Sequence, residues 1–252
     1  MHQFIESYGV LNWGLPILIV SLGGFMRGFA GFGATLIMVP LLSLLMPPSE
    51  AVFIALSVDT LVMAPMFPRA TKQAEWNLIM PLAVGSFLAT PFGVWFLVIT
   101  SPDTLRVIIS SLIIISALFL LSGWTHKGNR SFFFSFSIGV FSGTTNSAAG
   151  IGGPPIAAYF LAKGLSPVRL RASLNSIAFF MEGFSAMTIY FASDFKMSNL
   201  ITVFILLPFM SLTAILGSTL FKKFDNKIFN KLILYFLILF GLYIILVTLR
   251  LT

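Results

Sequence analysis

Two apolar runs in this chain are too long to form single membrane-spanning helices, and both contain glycines near the middle. The first extends from Trp13 to Met46 and the second covers residues 131–162. An α-helix of the 34 residues in the first run would be roughly 51 Å long, whereas the hydrocarbon core of a bilayer is about 30 Å thick. Each run therefore predicts two helical pieces, arranged either as two short crossings or as a re-entrant hairpin.

The remaining apolar runs have the length of a single membrane span. They cover residues 50–67, 78–99, 103–122, 170–192, 198–221 and 228–249. In the whole chain 58% of residues are hydrophobic and 9% are charged, whereas soluble domains contain about 25% charged residues. The sequence therefore predicts an all-α integral membrane protein that contacts the lipid bilayer. Its net charge of +7 is not interpreted as nucleic-acid binding, because most basic residues lie in short loops between the runs.

These basic loop residues predict the topology. If each long run counts as two pieces, eleven basic residues lie on one face and three on the other, whereas single crossings would divide them 6 to 8. The eleven are Arg69, Lys72, Lys127, Arg130, Lys163, Arg169, Arg171, Lys222, Lys223, Lys227 and Lys231, and the three are Arg106, Lys196 and Arg250. Cytoplasmic loops carry an excess of Lys and Arg. The eleven-to-three arrangement is therefore favoured, and it places both termini outside.

The two long runs also resemble one another. A shift of 119 positions aligns eight identical residues without a gap. Gly24, Ala30, Gly31, Gly33, Ile37, Leu42, Pro48 and Ser57 align with Gly143, Ala149, Gly150, Gly152, Ile156, Leu161, Pro167 and Ser176. Segments rich in Gly and Leu also align by chance, but these identities concentrate at the glycine breaks. Since five pieces per half is an odd number, related halves must have opposite orientations. We predict two inverted repeats, residues 1–123 and 124–252, each beginning with two short, glycine-broken pieces.

The glycine breaks are the predicted binding place. Where a second piece restarts, after Gly33 and after Gly153, its first turn leaves N–H groups without intrahelical partners. Such a helix end carries partial positive charge and attracts anions. The predicted substrate-binding residues are Gly31, Gly33, Ala34 and Thr35 at the first break and Thr144, Thr145, Asn146, Ser147, Gly150, Gly152 and Gly153 at the second. The alternative is that glycines such as Gly24 and Gly28 serve helix packing.

Arg27 is the only basic residue deep within an apolar run. Its planar guanidinium can bind a carboxylate, sulfonate or phosphate through two hydrogen bonds, so we predict contact with a small oxyanion. The alternatives are that Arg27 snorkels to one surface or forms a structural ion pair with Asp59. Asp59 and Glu182, the two acids within spans, are each a candidate for coupling to a proton or gate, or alternatively a counter-charge for Arg27 or a hydrogen-bond partner of the backbone. Because Asp59 is the better partner for Arg27, Glu182 is the better candidate for proton coupling. Asn175 is a further predicted substrate-binding residue, and it and Ser176, on the same run as Glu182, are expected to line the same cavity.

Two segments carry a pattern of a known family. One is residues 24–52, with a glycine-rich break followed by Pro47 and Pro48, and the other is residues 143–154, followed by residues 165–167. They resemble the TauE/SafE sulfite-exporter family of membrane permeases. The resemblance implies a transporter of sulfite or organosulfonates in the bacterial cytoplasmic membrane. In that membrane the charge distribution above places both termini in the periplasm. Together with the glycine breaks it predicts alternating access with the anion held near the midplane. An anion channel, or a permease for a small carboxylate, is the alternative.

Residues suited to catalysis are scarce. The chain has no cysteine, and its two histidines, His2 and His126, fall at the N-terminus and in a polar loop. No cofactor and no metal site are therefore predicted. An enzyme would require a nucleophile–base pair or a metal cluster, and two buried acids on separate helices do not provide one. We predict a transporter and not an enzyme. A homo-oligomer is compatible with the sequence but is not indicated by it.

Overall fold

The computed structural model describes residues 13–123, 131–193, 195–221 and 226–251, and within these ranges the regular structure is helical. The first half contains α1 (Gly14–Ala30), α2 (Ala34–Leu42), α3 (Pro48–Met63), the short α4 (Phe67–Ala70), α5 (Trp76–Ile99) and α6 (Pro102–Leu121). The second contains α7 (Phe132–Ala149), α8 (Gly153–Leu161), α9 (Pro167–Ala192), α10 (Met197–Phe221) and α11 (Asn226–Leu251). His2 and His126 lie outside the described residues, as do Lys127, Arg130, Lys222 and Lys223 of the predicted topology.

Each predicted apolar run is helical at nearly the predicted bounds, and both long runs contain two helices. Among the described residues, three helical segments are long and apolar enough to cross a membrane, namely Trp76–Ile99, Pro102–Leu121 and Met197–Leu220. Large apolar side chains such as Phe92, Trp95 and Leu212 are exposed on them, as a lipid-facing surface requires. The chain is therefore a multi-pass membrane protein. The four-residue helix α4 was not predicted.

Glycine ends the first helix of each long run. Gly31 follows α1 with φ 81°, and its N–H donates to the carbonyl of Arg27 at 2.9 Å. Gly150 follows α7 with φ 70°, and its N–H donates to the carbonyl of Asn146 at 2.7 Å. Glycine adopts this left-handed conformation without the penalty that a Cβ imposes. The local sequence therefore fixes both breaks, and Arg27 and Asn146 occupy equivalent positions before them.

The helix boundaries around the two breaks differ by the shift that aligns the sequences. Helices α1 and α7 end at residues 30 and 149, and α2 and α8 cover residues 34–42 and 153–161. Helices α3 and α9 then begin at residues 48 and 167, each with proline in its first turn, where the missing N–H is not needed. The backbone differs at one point, because Gly33 has φ 85° and Gly152 has φ −92°.

Helices from the two halves pack closely through small residues. Helix α1 lies against α10 and α7 lies against α5, while α3 contacts α9 and α6 contacts α11. A Cβ added to Gly28 would lie 1.9 Å from the Ala214 carbonyl oxygen, and one added to Gly139 would lie 2.2 Å from the Leu82 carbonyl oxygen. Small residues allow such close approach of two helices in a membrane. Gly28 therefore serves the packing of α1 on α10.

The substitution Gly28→Ala is expected to destabilise the protein by about 1–3 kcal/mol, because the backbone of α10 must move to admit the methyl group. Thermal unfolding of the purified protein in detergent measures the effect. Gly14→Ala, also on α1, is the matched control, since a Cβ there has nothing within 4 Å. Equal unfolding temperatures for the two variants would contradict the described contact.

Candidate functional site

Arg27 lies in the last turn of α1 and is 6% exposed. Its Nε donates to Asp59 Oδ1 at 2.7 Å, and its Nη2 donates to Asp59 Oδ2. The same Nη2 donates to Glu182 Oε1 at 3.1 Å, and Nη1 donates to the Gly31 carbonyl at 3.4 Å. Asp59 is on α3 and Glu182 is on α9, and both are buried. One guanidinium therefore joins helices from both halves through two carboxylates.

This cluster carries one more negative than positive charge when all three side chains are ionised. Glu182 Oε2 is buried and has no hydrogen-bond partner among the described residues. Buried charges are unfavourable unless they are paired and their remaining hydrogen-bonding positions are satisfied. Both oxygens of Asp59 accept hydrogen bonds from Arg27. Of the two carboxylates, Glu182 is therefore the one with an unoccupied hydrogen-bonding position.

The ion pair of Arg27 with Asp59 was one of the alternatives given by the sequence. A counter-charge for Arg27 was also an alternative for Glu182, but Asp59 was preferred as the partner and Glu182 as the proton-coupling residue, so the additional contact of Arg27 with Glu182 was not expected. The two residues are 155 positions apart, and no local spacing indicates that they meet. The one available signal is that each is a charged residue within an otherwise apolar run, which requires some polar partner in the interior.

A cavity of about 30 Å³ lies beside this cluster. Its wall contains Gly33 and Thr35 from the first break and Gly152 and Gly153 from the second. Arg27, Asn146 and Glu182 also line it. The beginnings of α2 and α8 therefore border one common space next to the guanidinium. A volume of 30 Å³ holds about two water molecules, so an oxyanion fits only if the wall moves.

Several predicted site residues lie away from this wall. They are Gly31, Ala34, Thr144, Thr145, Ser147 and Gly150. The three hydroxyl groups donate to backbone carbonyls: Thr144 to Val140 at 2.9 Å, Thr145 to Ile151 at 2.8 Å and Ser147 to Gly143 at 2.8 Å. Thr145 thereby bridges the second break, and Ser147 lies at the contact between α7 and α5. Asn146 alone of this run reaches the cavity, and its Nδ2 donates to Ser185 Oγ at 3.1 Å.

The prediction that Asn175 lines the same cavity as Glu182 was wrong. Asn175 lines a second cavity of about 330 Å³, together with Gly31 and Arg27, whereas Glu182 lines the small one. The two residues are seven positions apart on α9, which is about 10 Å along a helix axis. They share a helix face but lie at different depths. Ser176 is fully buried, and its hydroxyl has no hydrogen-bond partner among the described residues.

A buried cluster of charges beside broken helices, within a multi-pass membrane protein, is typical of membrane transporters. The family model described as Sulfite exporter TauE/SafE matches residues 16–244, nearly the whole chain. The chain therefore belongs to the TauE/SafE sulfite-exporter family, which confirms the resemblance of its glycine segments. This is a family of membrane transporters. No curated protein and no solved structure matches the chain.

Proposed function

We propose that this protein transports small sulfur-containing anions, sulfite or an organosulfonate, by alternating access. The observation that carries the proposal is the common cavity that Arg27 and both glycine breaks line. The membership of the TauE/SafE family supports the class of cargo. A bound oxyanion accepts hydrogen bonds from Arg27, from Asn146 and from the first N–H groups of α2 and α8, where partial positive charge accumulates.

The two halves, residues 1–123 and 124–252, form inverted repeats in this proposal. The helix contacts support the symmetry, since the first piece of each half packs on the fourth piece of the other, as α1 on α10 and α7 on α5. The third pieces, α3 and α9, contact one another, as do the fifth pieces, α6 and α11. Rocking of one half against the other exposes the cavity to each side in turn. The short pieces α2 and α8 are re-entrant, and their starts border the anion.

We place the protein in the bacterial cytoplasmic membrane with both termini in the periplasm. The distribution of basic residues supports this orientation, since eleven lie on one face and three on the other. The segment after α3, with Arg69 of α4 and Lys72, and the loop before α9, with Lys163, are then cytoplasmic.

Glu182 couples transport to a proton in this mechanism. Arg27 is already engaged by two carboxylates, so an anion must compete with them for the guanidinium. Protonation of Glu182 weakens its hydrogen bond with Arg27 Nη2 and removes one negative charge from the cluster. Entry of a proton and a monovalent anion together leaves the formal charge of the cluster unchanged, which avoids the cost of adding a buried charge. Asp59 keeps its two hydrogen bonds and acts as the permanent counter-charge.

The small volume of the cavity, about 30 Å³, favours a carrier over an anion channel, because a channel must offer a continuous path to its ion. Proteoliposomes distinguish the two. Labelled sulfite is expected to enter faster when unlabelled sulfite is present inside, with saturation at low concentration. Flux that neither saturates nor responds to internal sulfite would indicate a channel. Counterflow with lactate or phosphate, but not with sulfite or sulfoacetate, would indicate another cargo.

A further inference from the structure

The larger of the two cavities that Arg27 lines is not used by the mechanism above. It has a volume of about 330 Å³ and lies between α1, the end of α3, the first turns of α9 and the last turns of α10. Arg27 is the one residue common to the walls of both cavities. A ligand in the larger cavity therefore reaches the guanidinium without passing through the smaller one.

Arg171 is the second charged residue on this wall. Its Nη2 donates to the Gly28 carbonyl at 2.9 Å, and a Cβ on Gly31 would lie 2.9 Å from its Nε. The end of α1 therefore holds the guanidinium of Arg171 in place across the first glycine break. Asn175 follows one turn later on α9 and lines the same cavity, and its buried Oδ1 has no hydrogen-bond partner among the described residues. A guanidinium and an amide are thus presented on one face of one helix.

The rest of the wall is mainly apolar. Val62 and Met63 at the end of α3 and Ala214 and Ile215 on α10 contribute to it. A cavity of about 150 Å³ in a protein core is large enough for benzene. The 330 Å³ cavity therefore has room for an anionic group together with an apolar body, whereas the small cavity has room for neither in this conformation.

We propose that Arg171 and Asn175 form an outer anion site, which binds the headgroup of an organic anion whose apolar body packs against α3 and α10. The site rests on the proposed transport function and lies in series with Arg27. Its ligand is a monovalent organic anion with a short hydrocarbon chain. Inorganic sulfite binds there weakly, because it makes no contacts with the apolar wall.

The outer site lies at the face of the protein that the topology assigns to the cytoplasm. Pro65 and Met66 of its wall follow α3, and Ser218 lies in the last turn of α10. The topology assigns these helix ends to the face that carries eleven of the fourteen basic loop residues. An anion that arrives from the cytoplasm therefore meets Arg171 before it meets Arg27.

Binding of a homologous series to the full-length protein in lipid nanodiscs tests the proposal. The ligands are sulfite, methanesulfonate and butanesulfonate, with butanol as a neutral control, measured by isothermal titration calorimetry. The affinity is expected to rise about fourfold per methylene, roughly sixtyfold from methanesulfonate to butanesulfonate. Arg171→Ala is expected to weaken the binding of butanesulfonate at least about tenfold. The matched control is Arg169→Ala, since Arg169 is exposed and pairs with Glu75 at the surface.

The possible outcomes separate this site from the transport function. Three results would each overturn the outer site. The first is equal affinity for all sulfonates of the series, and the second is an unchanged affinity of Arg171→Ala for butanesulfonate. The third is an affinity for butanol equal to that for butanesulfonate, because binding would then be purely apolar. If Arg171→Ala does not fold, Val62→Phe is the second variant. It should remove the dependence of affinity on the chain length of the sulfonate without weakening the binding of sulfite. Transport of sulfite that depends on Arg27 would still support the proposed function in all these cases. Absence of sulfite and sulfonate transport by the wild-type protein would reject both proposals.

Discussion

Replacing Arg27 with alanine is expected to abolish sulfite transport and to weaken sulfite binding by about a hundredfold or more. Hydrogen bonds to charged groups contribute about 1.5–3 kcal/mol each, and a guanidinium can supply two of them to one oxyanion. The same substitution leaves Asp59 and Glu182 buried without their cationic partner. Breaking a buried ion pair in this way costs about 3–5 kcal/mol of stability. Calorimetry and thermal unfolding of the purified variant measure the two effects.

A charge-balanced double variant separates binding from folding. Arg27→Ala combined with Asp59→Ala removes one positive and one negative charge, so the formal charge of the cluster stays as in the wild-type protein. The double variant is expected to recover most of the lost stability and none of the transport. Transport of sulfite by the double variant at the wild-type rate would mean that Arg27 serves as a structural ion pair alone.

The elements of the fold were predictable because their signals are local. The length of an apolar run determines how many membrane spans it can form, and glycine in the left-handed conformation ends α1 and α7 where the sequence predicted breaks. Proline in the first turn marks the starts of α3 and α9. The shift of 119 positions that aligns the two sequences also aligns these starts and ends.

The contacts within the candidate site were less predictable, because they depend on how distant helices pack. Arg27 meets Glu182 because the end of α1 lies near the middle of α9, and no spacing along the chain encodes this. Hydroxyl groups are ambiguous for another reason. Thr144 and Ser147 can donate to the carbonyl four residues earlier in their own helix, and this local hydrogen bond competes with binding a ligand. Sequence alone identifies the donors and not their partners.

The two cavities suggest the order in which a transported anion meets the binding residues, which neither glycine break indicates alone. Arg27 borders both, and in this conformation its guanidinium is held by Asp59 and Glu182. Passage of an anion from the larger to the smaller cavity therefore requires that the guanidinium exchange a carboxylate for the anion. Both oxygens of Asp59 are engaged, whereas Glu182 Oε2 has no partner among the described residues. In the proposed mechanism we therefore expect the hydrogen bond to Glu182 to be the one that is released.

The substitution Glu182→Gln is therefore expected to uncouple transport from the proton. In the wild-type protein the apparent affinity for the anion should fall as pH rises, by up to about tenfold per unit, because binding requires a proton on Glu182. Glutamine is permanently neutral, and its amide oxygen can still accept from Arg27 Nη2. The variant should bind methanesulfonate, which stays monovalent over the neutral pH range, with an affinity that depends little on pH, and it should continue to exchange anions across the membrane. A pH gradient across proteoliposomes should no longer drive accumulation.

Glu75→Gln is the matched control for this variant. Glu75 pairs with Arg169 at the surface, so its neutralisation should leave the pH dependence and the gradient-driven accumulation unchanged. Calorimetric titrations at several pH values and uptake driven by an imposed pH gradient measure the two quantities. If Glu182→Gln accumulates sulfite as the wild-type protein does, the proton is bound elsewhere or the driving ion is another one. Glu182 would then be a second counter-charge for Arg27, and the charge balance between proton and anion at this cluster would no longer explain transport.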